Sequence, residues 1–318
     1  MTDLIPYTRP APLTLDQTIA GWLHEKHGHS ESERTRQAYE RTLQSFRAAL
    51  RSAERDLDGD PAVIALAAQG WAALSTSPRR ESVTPATFNN RLSIVSSFYE
   101  YAIRNDVLHY NPLERVKRRV VRSKDAARRL PVSRVKAGLQ HIDRTTPEGL
   151  RDYALLSVAL NTGRRVSELA GLRLKHLWLN EMMCTVTWER CKGNKRMQDE
   201  LPAKPTKALF TYLYAVYGTA LLTLPGDTPV WVSFSRRNRR QAIGTRTISN
   251  ICEQHLGTSK VHATRHTWAL TMHDKGATLQ QIGKGLGHSN LKTTSDYLEE
   301  QLGYENPFAE QLAEEFGI

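Results

Sequence analysis

Cysteine is scarce. The 318 residues hold three, Cys184, Cys191 and Cys252, and no two of them form a close metal-binding pair. That count excludes a disulfide framework and a thiolate zinc site, and it suits a reducing compartment. Long apolar runs are missing too. None approaches the ~18 residues that a membrane span requires. The first residues, MTDLIPYTRPAPLTL, carry an acid at position three and no apolar stretch, so they do not read as a secretion signal. A cytoplasmic protein is expected. Internal repeats and low-complexity segments are also lacking, which excludes a solenoid.

Acid is short relative to base. Lys and Arg number 44 against 33 Asp and Glu, for a net charge of +11. An excess of that size points to a polyanion, and with no membrane-directed segment nucleic acid is favoured. His262 and His266 stand four apart, which is a metal-ligand spacing. They lack the glutamate of an HExxH pattern and any nearby carboxylate, so neither a metal nor another cofactor is expected.

What the chain does have is helical periodicity. The spacing predicts a helix over 16–26 after a loose, proline-spotted start at 1–13. A second covers 34–51, with Tyr39, Leu43, Phe46 and Leu50 on one face. Asp60 caps a short helix opened by Pro61. Thr84 and Pro85 open a longer one, whose buried stripe is Phe88, Leu92, Val95, Tyr99 and Ala102, and Asn111-Pro112 closes the unit. No strand pattern appears before residue 180. A small all-helical domain is therefore expected over 14–114.

Residues 115–129, RVKRRVVRSKDAARR, hold eight Lys or Arg and one acid, Asp125. A linker over 115–130 is expected. It reads either as a solvated basic run or as a strap along a phosphate backbone, and its place between two domains favours the strap. Lys117, Arg118, Arg119 and Arg122 are its candidate DNA contacts, with Arg91 on the preceding helix. A second basic cluster, Arg236, Arg237, Arg239 and Arg240, lies in a later loop.

A mixed domain is expected over 131–303. Helices are predicted near 133–142, over 149–160, from about 165, over 205–221 and over 245–256. CTVTWER alternates, with Cys184, Val186 and Trp188 on one side, and reads as a strand. Lys192-Gly193-Asn194-Lys195 is its turn and RMQDELPA the returning strand. The fold class is thus mainly α: a helical domain plus a mixed α/β domain with a small antiparallel sheet.

The chemistry gathers at a few positions. Phosphodiester cleavage through a covalent intermediate needs a nucleophile, charge compensation at phosphorus and an acid for the leaving alkoxide. Arginine suits the second task, because its planar fork grips two phosphate oxygens and stays charged. Arg165 and Arg265 are candidates for it, with His262 and His288 as further hydrogen-bond donors. Lys192 is the candidate acid and Tyr297 the candidate nucleophile. Each has a plain alternative. Arg165 and Glu168, three apart on a helix, could simply pair. Tyr297 could be a half-buried ring and Lys192 a turn lysine.

Taken in order, the set resembles the tyrosine recombinase (phage integrase) family. TGRRVSELAGL matches the first arginine motif and CKGNKR the hairpin lysine motif. HATRHTWAL matches the His-x-x-Arg box, and LGH with Tyr297 nine residues on matches the last. The resemblance spans about residues 14–300 and fills all six catalytic positions. One departure is Thr264, where an apolar residue is usual. Only a dozen residues precede the first helix, so the shorter Xer-like form without an arm-site-binding domain is expected.

The resemblance implies a 3′-phosphotyrosyl intermediate, a free 5′ hydroxyl and strand exchange through a Holliday junction. It implies duplex DNA with paired half-sites as partner. Four protomers would act, all alike or shared with a second related recombinase. Integration, excision and dimer resolution all fit. A type IB topoisomerase-like relaxing enzyme and a catalytically silent DNA-binding protein are the alternatives. The last stretch, 304–318, holds Phe308, Leu312 and Phe316 every four residues among Glu310, Glu314 and Glu315. It is expected to be an exchange helix that seeks protein and avoids DNA.

Overall fold

The computed structural model describes residues 13–30, 32–75, 82–121, 129–179, 183–191 and 195–288. The chain divides into two units, Met1–Arg122 and Ser123–Ile318. The first is built from helices α1 (Leu15–Ser30), α2 (Glu33–Arg51), α3 (Pro61–Ala73) and α4 (Pro85–Arg104), then a short 3-10 turn, Pro112–Arg115. The starts of α2, α3 and α4 have a local cause. Ser32 accepts from the Thr35 N–H, Asp60 from those of Ala62 and Val63, and Thr84 from that of Thr87. These side chains satisfy donors that the first helical turn leaves open.

Trp22, Phe46, Phe98 and Leu92 are fully enclosed between these helices. Trp22 meets Phe98 edge-on at 5.7 Å, and Phe46 lies 5.0 Å from Trp71. Burying side chains of this size contributes roughly 1.5–3 kcal/mol each. Among the described residues this unit has helices and no strand, as the periodicity predicts.

The boundary between the units falls inside the basic stretch. Its first part packs on the first unit. Val116 is buried. The Asn89 amide brackets the Arg119 backbone, donating to its carbonyl at 2.8 Å and accepting from its N–H at 2.9 Å. Arg119 lies over the Phe88 ring at 4.0 Å. Arg129 and Leu130, past the break, belong with the second unit. Arg129 pairs with Asp274, and the Leu130 N–H donates to Thr267.

The second unit runs α5 (Val132–Gln140), α6 (Pro147–Thr162), α7 (Val166–Ala170), β1 (Leu177–Leu179), β2 (Cys184–Cys191), β3 (Lys195–Leu201), α8 (Ala203–Tyr217), α9 (Thr245–Leu256), α10 (His262–Asp274) and α11 (Leu279–Leu286). The strands form one antiparallel sheet in the order β1-β2-β3. Cys184, Val186 and Trp188 face the core together, as their alternation predicts. β1 corrects the expectation that no strand precedes residue 180. At three residues, pairing Leu177 with Val186, it is too short to show alternation. The helix expected over 205–221 ends instead at Tyr217. Gly218 takes φ +58, a left-handed conformation that breaks the helix, and a 3-10 turn follows.

α6 is the buried axis of this unit. Arg151, 3% exposed, donates to Asp152 at 2.8 Å and to the Val232 carbonyl at 3.1 Å. Asp152 also meets His255 Nε2 of α9 at 3.1 Å. The paired charges are tolerated because each is hydrogen-bonded.

Candidate active site

The site starts where α6 stops. Gly163 takes φ +60 there, and a Cβ on it would lie 2.9 Å from the Trp268 ring, so only glycine fits this turn. The chain then turns into α7, with Arg165 as the residue before its first turn. Arg165 is held by Glu168, whose carboxylate accepts from the Arg165 N–H at 2.8 Å and from Nη1 at 3.0 Å. The plain pairing foreseen from their spacing therefore exists. It also fixes the guanidinium at the mouth of a cleft rather than removing it from one.

That cleft has a volume of about 530 Å³. Arg164, Arg165, Ser249, Lys260 and His262 line it; no carboxylate is among its described lining residues, although Arg165 is paired with Glu168 and Arg164 with Asp199. His262, the first residue of α10, is exposed. Its pKa is nevertheless held below the ordinary imidazole value, first by partial burial of the ring and then by the charges of Arg265 and Arg165. At neutral pH His262 is therefore uncharged.

Arg265 lies one turn further along α10 and is 1% exposed. Nη1 donates to the Gly163 carbonyl at 2.8 Å and Nη2 to that of Leu286 at 2.7 Å. Nη2 also lies 3.2 Å from His288 Nε2. A guanidinium only donates, so His288 Nε2 accepts, and the ring is neutral with its proton on Nδ1. One side chain thus joins the ends of α6 and α11 and orients the second histidine. α11 occupies the interval between the two histidine boxes. The Thr278 and Gln281 side chains cap it reciprocally, and Gly287 at φ +68 ends it just before His288.

Four of the six residues expected from sequence, Arg165, His262, Arg265 and His288, are thus brought together. Lys192 and Tyr297 lie outside the described residues. Strands β2 and β3 flank 192–194 directly. The departure at Thr264 is accommodated locally: it is fully buried, and its hydroxyl donates to the Val261 carbonyl at 2.8 Å.

The candidate DNA contacts divide. Arg91 Nη1 reaches the Leu74 carbonyl at 2.6 Å and the Ala72 carbonyl at 3.3 Å, closing the end of α3. Arg118 donates to the Asn89 carbonyl at 3.1 Å, and Lys117 is exposed. Arg122 lies outside the described residues. Arg236, Arg237, Arg239 and Arg240 stand exposed on one loop, with Arg240 at φ +64.

Sequence reasoning missed Arg164 and Asp199. The signal for Asp199 was present. It occupies an inward position of β3, opposite buried Val186, where an apolar residue would fit.

The phage integrase family model matches residues 128–302. The chain is 34% identical over 220 residues to the tyrosine recombinase XerC of Myxococcus xanthus, covering 67% of this chain and 71% of that one. To the XerC of Pelobacter propionicus it is 28% identical over 298 residues, 89% of this chain and 90% of that one. In fold it is similar to the site-specific recombinase XerH bound to a palindromic difH substrate, with TM-score 0.62 at 17% identity, covering 96% of this chain and 90% of that one. A lambda integrase dimer bound to a COC′ core site also gives TM-score 0.62, at 14% identity, covering 92% and 98%. The catalytic-unit fold, the four gathered residues and these relatives agree: the chain belongs to the phage integrase family, the tyrosine recombinases.

Proposed function

We propose that this site-specific tyrosine recombinase, a DNA strand transferase, works through Arg165, Lys192, His262, Arg265, His288 and Tyr297. The observation that carries the assignment is the cleft where Arg165, Lys260 and His262 meet, backed by a buried arginine that two carbonyls and an imidazole hold in place. A phosphodiester suits it. Arg165 and Arg265 compensate the charge that grows on the non-bridging oxygens, and an orienting frame already in place makes that compensation effective.

The Tyr297 oxygen attacks phosphorus and its proton passes to the neutral imidazole of His262, since the free nitrogen of His288 already accepts from Arg265. The bond from phosphorus to the 5′ oxygen breaks, and the Lys192 ammonium gives that oxygen a proton. A 3′-phosphotyrosyl link and a 5′ hydroxyl result. Attack by the 5′ hydroxyl of a partner strand reverses the chemistry. The covalent link conserves the bond energy, so the scheme calls for no cofactor.

The same reading assigns roles along the chain. Residues 14–114 grip the core site, 115–130 follow the phosphate backbone, 131–303 cut, and 304–318 contact a neighbour. A tetramer on two DNA sites fits the exchange of one strand pair at a time. A lambda integrase tetramer bound to a Holliday junction, with TM-score 0.60 at 15% identity, shares the fold. A cytoplasmic, nucleoid-bound enzyme is consistent with the lack, among the described helices, of any long and apolar enough to cross a membrane.

Tyr297→Phe tests the scheme. It keeps the ring and removes the nucleophilic oxygen. Binding to site DNA should persist, and adducts that survive denaturation on a nicked substrate should vanish. Adducts formed by the phenylalanine variant would refute the assignment.

A further inference from the structure

Beside Arg165 the chain carries a second arginine turned inward. Arg164 is 2% exposed. Its Nε and Nη2 donate to the two oxygens of Asp199 at 2.6 and 2.7 Å. Asp199 Oδ2 also accepts from the Trp188 indole N–H at 2.7 Å. The guanidinium carbon lies 5.6 Å from the Trp188 ring centre. Nη1 lies 3.0 Å from Met197 Sδ. That sulfur in turn sits against Gly287, where an added Cβ would come within 2.7 Å of it. One guanidinium therefore links the turn before Arg165, both strands that flank 192–194, and the residue before His288.

A buried ion pair adds little net stability over apolar packing of the same volume. What a bidentate pair supplies is direction, because it is satisfied in one geometry only. Further out, His176 Nε2 meets Glu189 at 3.1 Å, but the backbone pairing gives less direction. Trp188 pairs with Met197 in regular register, but the ladder becomes irregular between Trp188 and Cys191 before Cys191 meets Lys195. Arg164 and Asp199 thus anchor the regular part of the ladder, next to the Gln198–Thr187 hydrogen bond one pair further out. Beyond it the chain runs into the turn that carries Lys192.

We propose that Arg164, Asp199 and Trp188 are positioning residues, a clamp that aims the Lys192 hairpin at the phosphate held beside Arg165. The proposal rests on Lys192 being the acid for the 5′ oxygen. It assigns the clamp no contact with DNA.

The test compares two substrates in single turnover. One has the ordinary 5′ oxygen at the scissile phosphate. The other has a 5′-bridging sulfur, which leaves as a thiolate without a proton. Asp199→Asn keeps the side-chain shape and weakens the grip on Arg164. Misplacing a catalytic group by about 1 Å costs on the order of 100-fold. Adduct formation on the oxygen substrate should fall at least about tenfold, and on the sulfur substrate by less than about threefold. Equal losses on both would make the clamp a fold stabiliser only, and no loss on either would leave it without a role; both outcomes overturn the proposal.

Trp188→Phe keeps the ring over Arg164 and removes the N–H to Asp199. It should show the same preference for sulfur to a smaller extent. It carries the test if Asp199→Asn does not fold, as judged by its melting curve. Lys192→Ala, run alongside, separates two failures. If sulfur does not rescue it, the acid assignment itself is wrong and the clamp falls with it. If sulfur rescues Lys192→Ala but not the clamp variants, only the clamp is refuted.

Discussion

Arg265 is almost fully buried, and a buried guanidinium is tolerable only where carbonyls and rings take up its donors. Its neighbour His266 solves the same problem by staying neutral. Burial, then the charges of His262 and Arg265, push its pKa down to about 4. The unfolded chain, with an ordinary imidazole near 6.5, binds a proton that the folded chain refuses. Stability is therefore complete above about pH 6.5 and is lost as pH falls toward 4, by up to about 3 kcal/mol. His262 shifts in the same direction. Glu33 and Asp56 are held down to about 2 by their arginine partners, so their losses come mainly at lower pH. Denaturant unfolding at pH 7 and pH 4.5 should show the drop, and His266→Gln should reduce it. A pH-independent midpoint over that range would contradict the assignment. The His-x-x-Arg spacing was legible in the sequence because one helical turn separates the two residues. The acceptors of Arg265 were not, because the carbonyls of Gly163 and Leu286 leave no mark in a side-chain pattern.

At the scale of elements, the readable parts are those with a cap and a period. Asp60-Pro61 and Thr84-Pro85 announce α3 and α4, and the alternation of Cys184, Val186 and Trp188 announces β2. β1 has no period to read, and the end of α8 depends on the conformation of Gly218. The basic stretch is another matter. Its charge was plain, but its packing was not, since Asn89 and Phe88 hold it from about 30 residues upstream. That anchoring argues for the strap over a solvated run, because an ordered backbone presents Lys117 and Arg118 at less entropic cost. Replacing Lys117, Arg118 and Arg122 together with glutamine should weaken binding to any DNA sequence. The plot of log affinity against log salt should flatten by up to ~0.9 per lost phosphate contact. An unchanged slope would return the stretch to a solvated run. Asn89→Ala should have a weaker effect of the same kind, by loosening the strap without removing charge.

At the scale of the whole molecule, chemistry alone does not make recombination. Tyrosines that cut at will would break both DNA duplexes, so a recombinase needs each site to depend on a neighbour. The sequence offers one device for that, the stretch 304–318, which lies outside the described residues. The spacing of Phe308, Leu312 and Phe316 predicts a helix too short to stand alone, and its glutamates would repel DNA. The second unit offers a matching surface. A groove of about 380 Å³ is lined by Val132, Val135, Leu160, Trp268 and Met272, with Lys136 and Lys275 among its polar residues. Three apolar side chains and an acidic face would be satisfied there. If the stretch fills the groove of its own chain, removing it exposes that chain's apolar surface and lowers its melting temperature. If it fills a neighbour's groove, removing it spares the isolated protomer and breaks the assembly. Deleting 304–318 should therefore leave binding of one protomer to a half-site nearly intact. Cooperative filling of the second half-site and strand exchange should fall together. The apolar groove mutant Met272→Glu should reproduce that pattern, through repulsion of the incoming glutamates. A truncated protein that still assembles two-site synapses and recombines at the normal rate would refute docking on the neighbour.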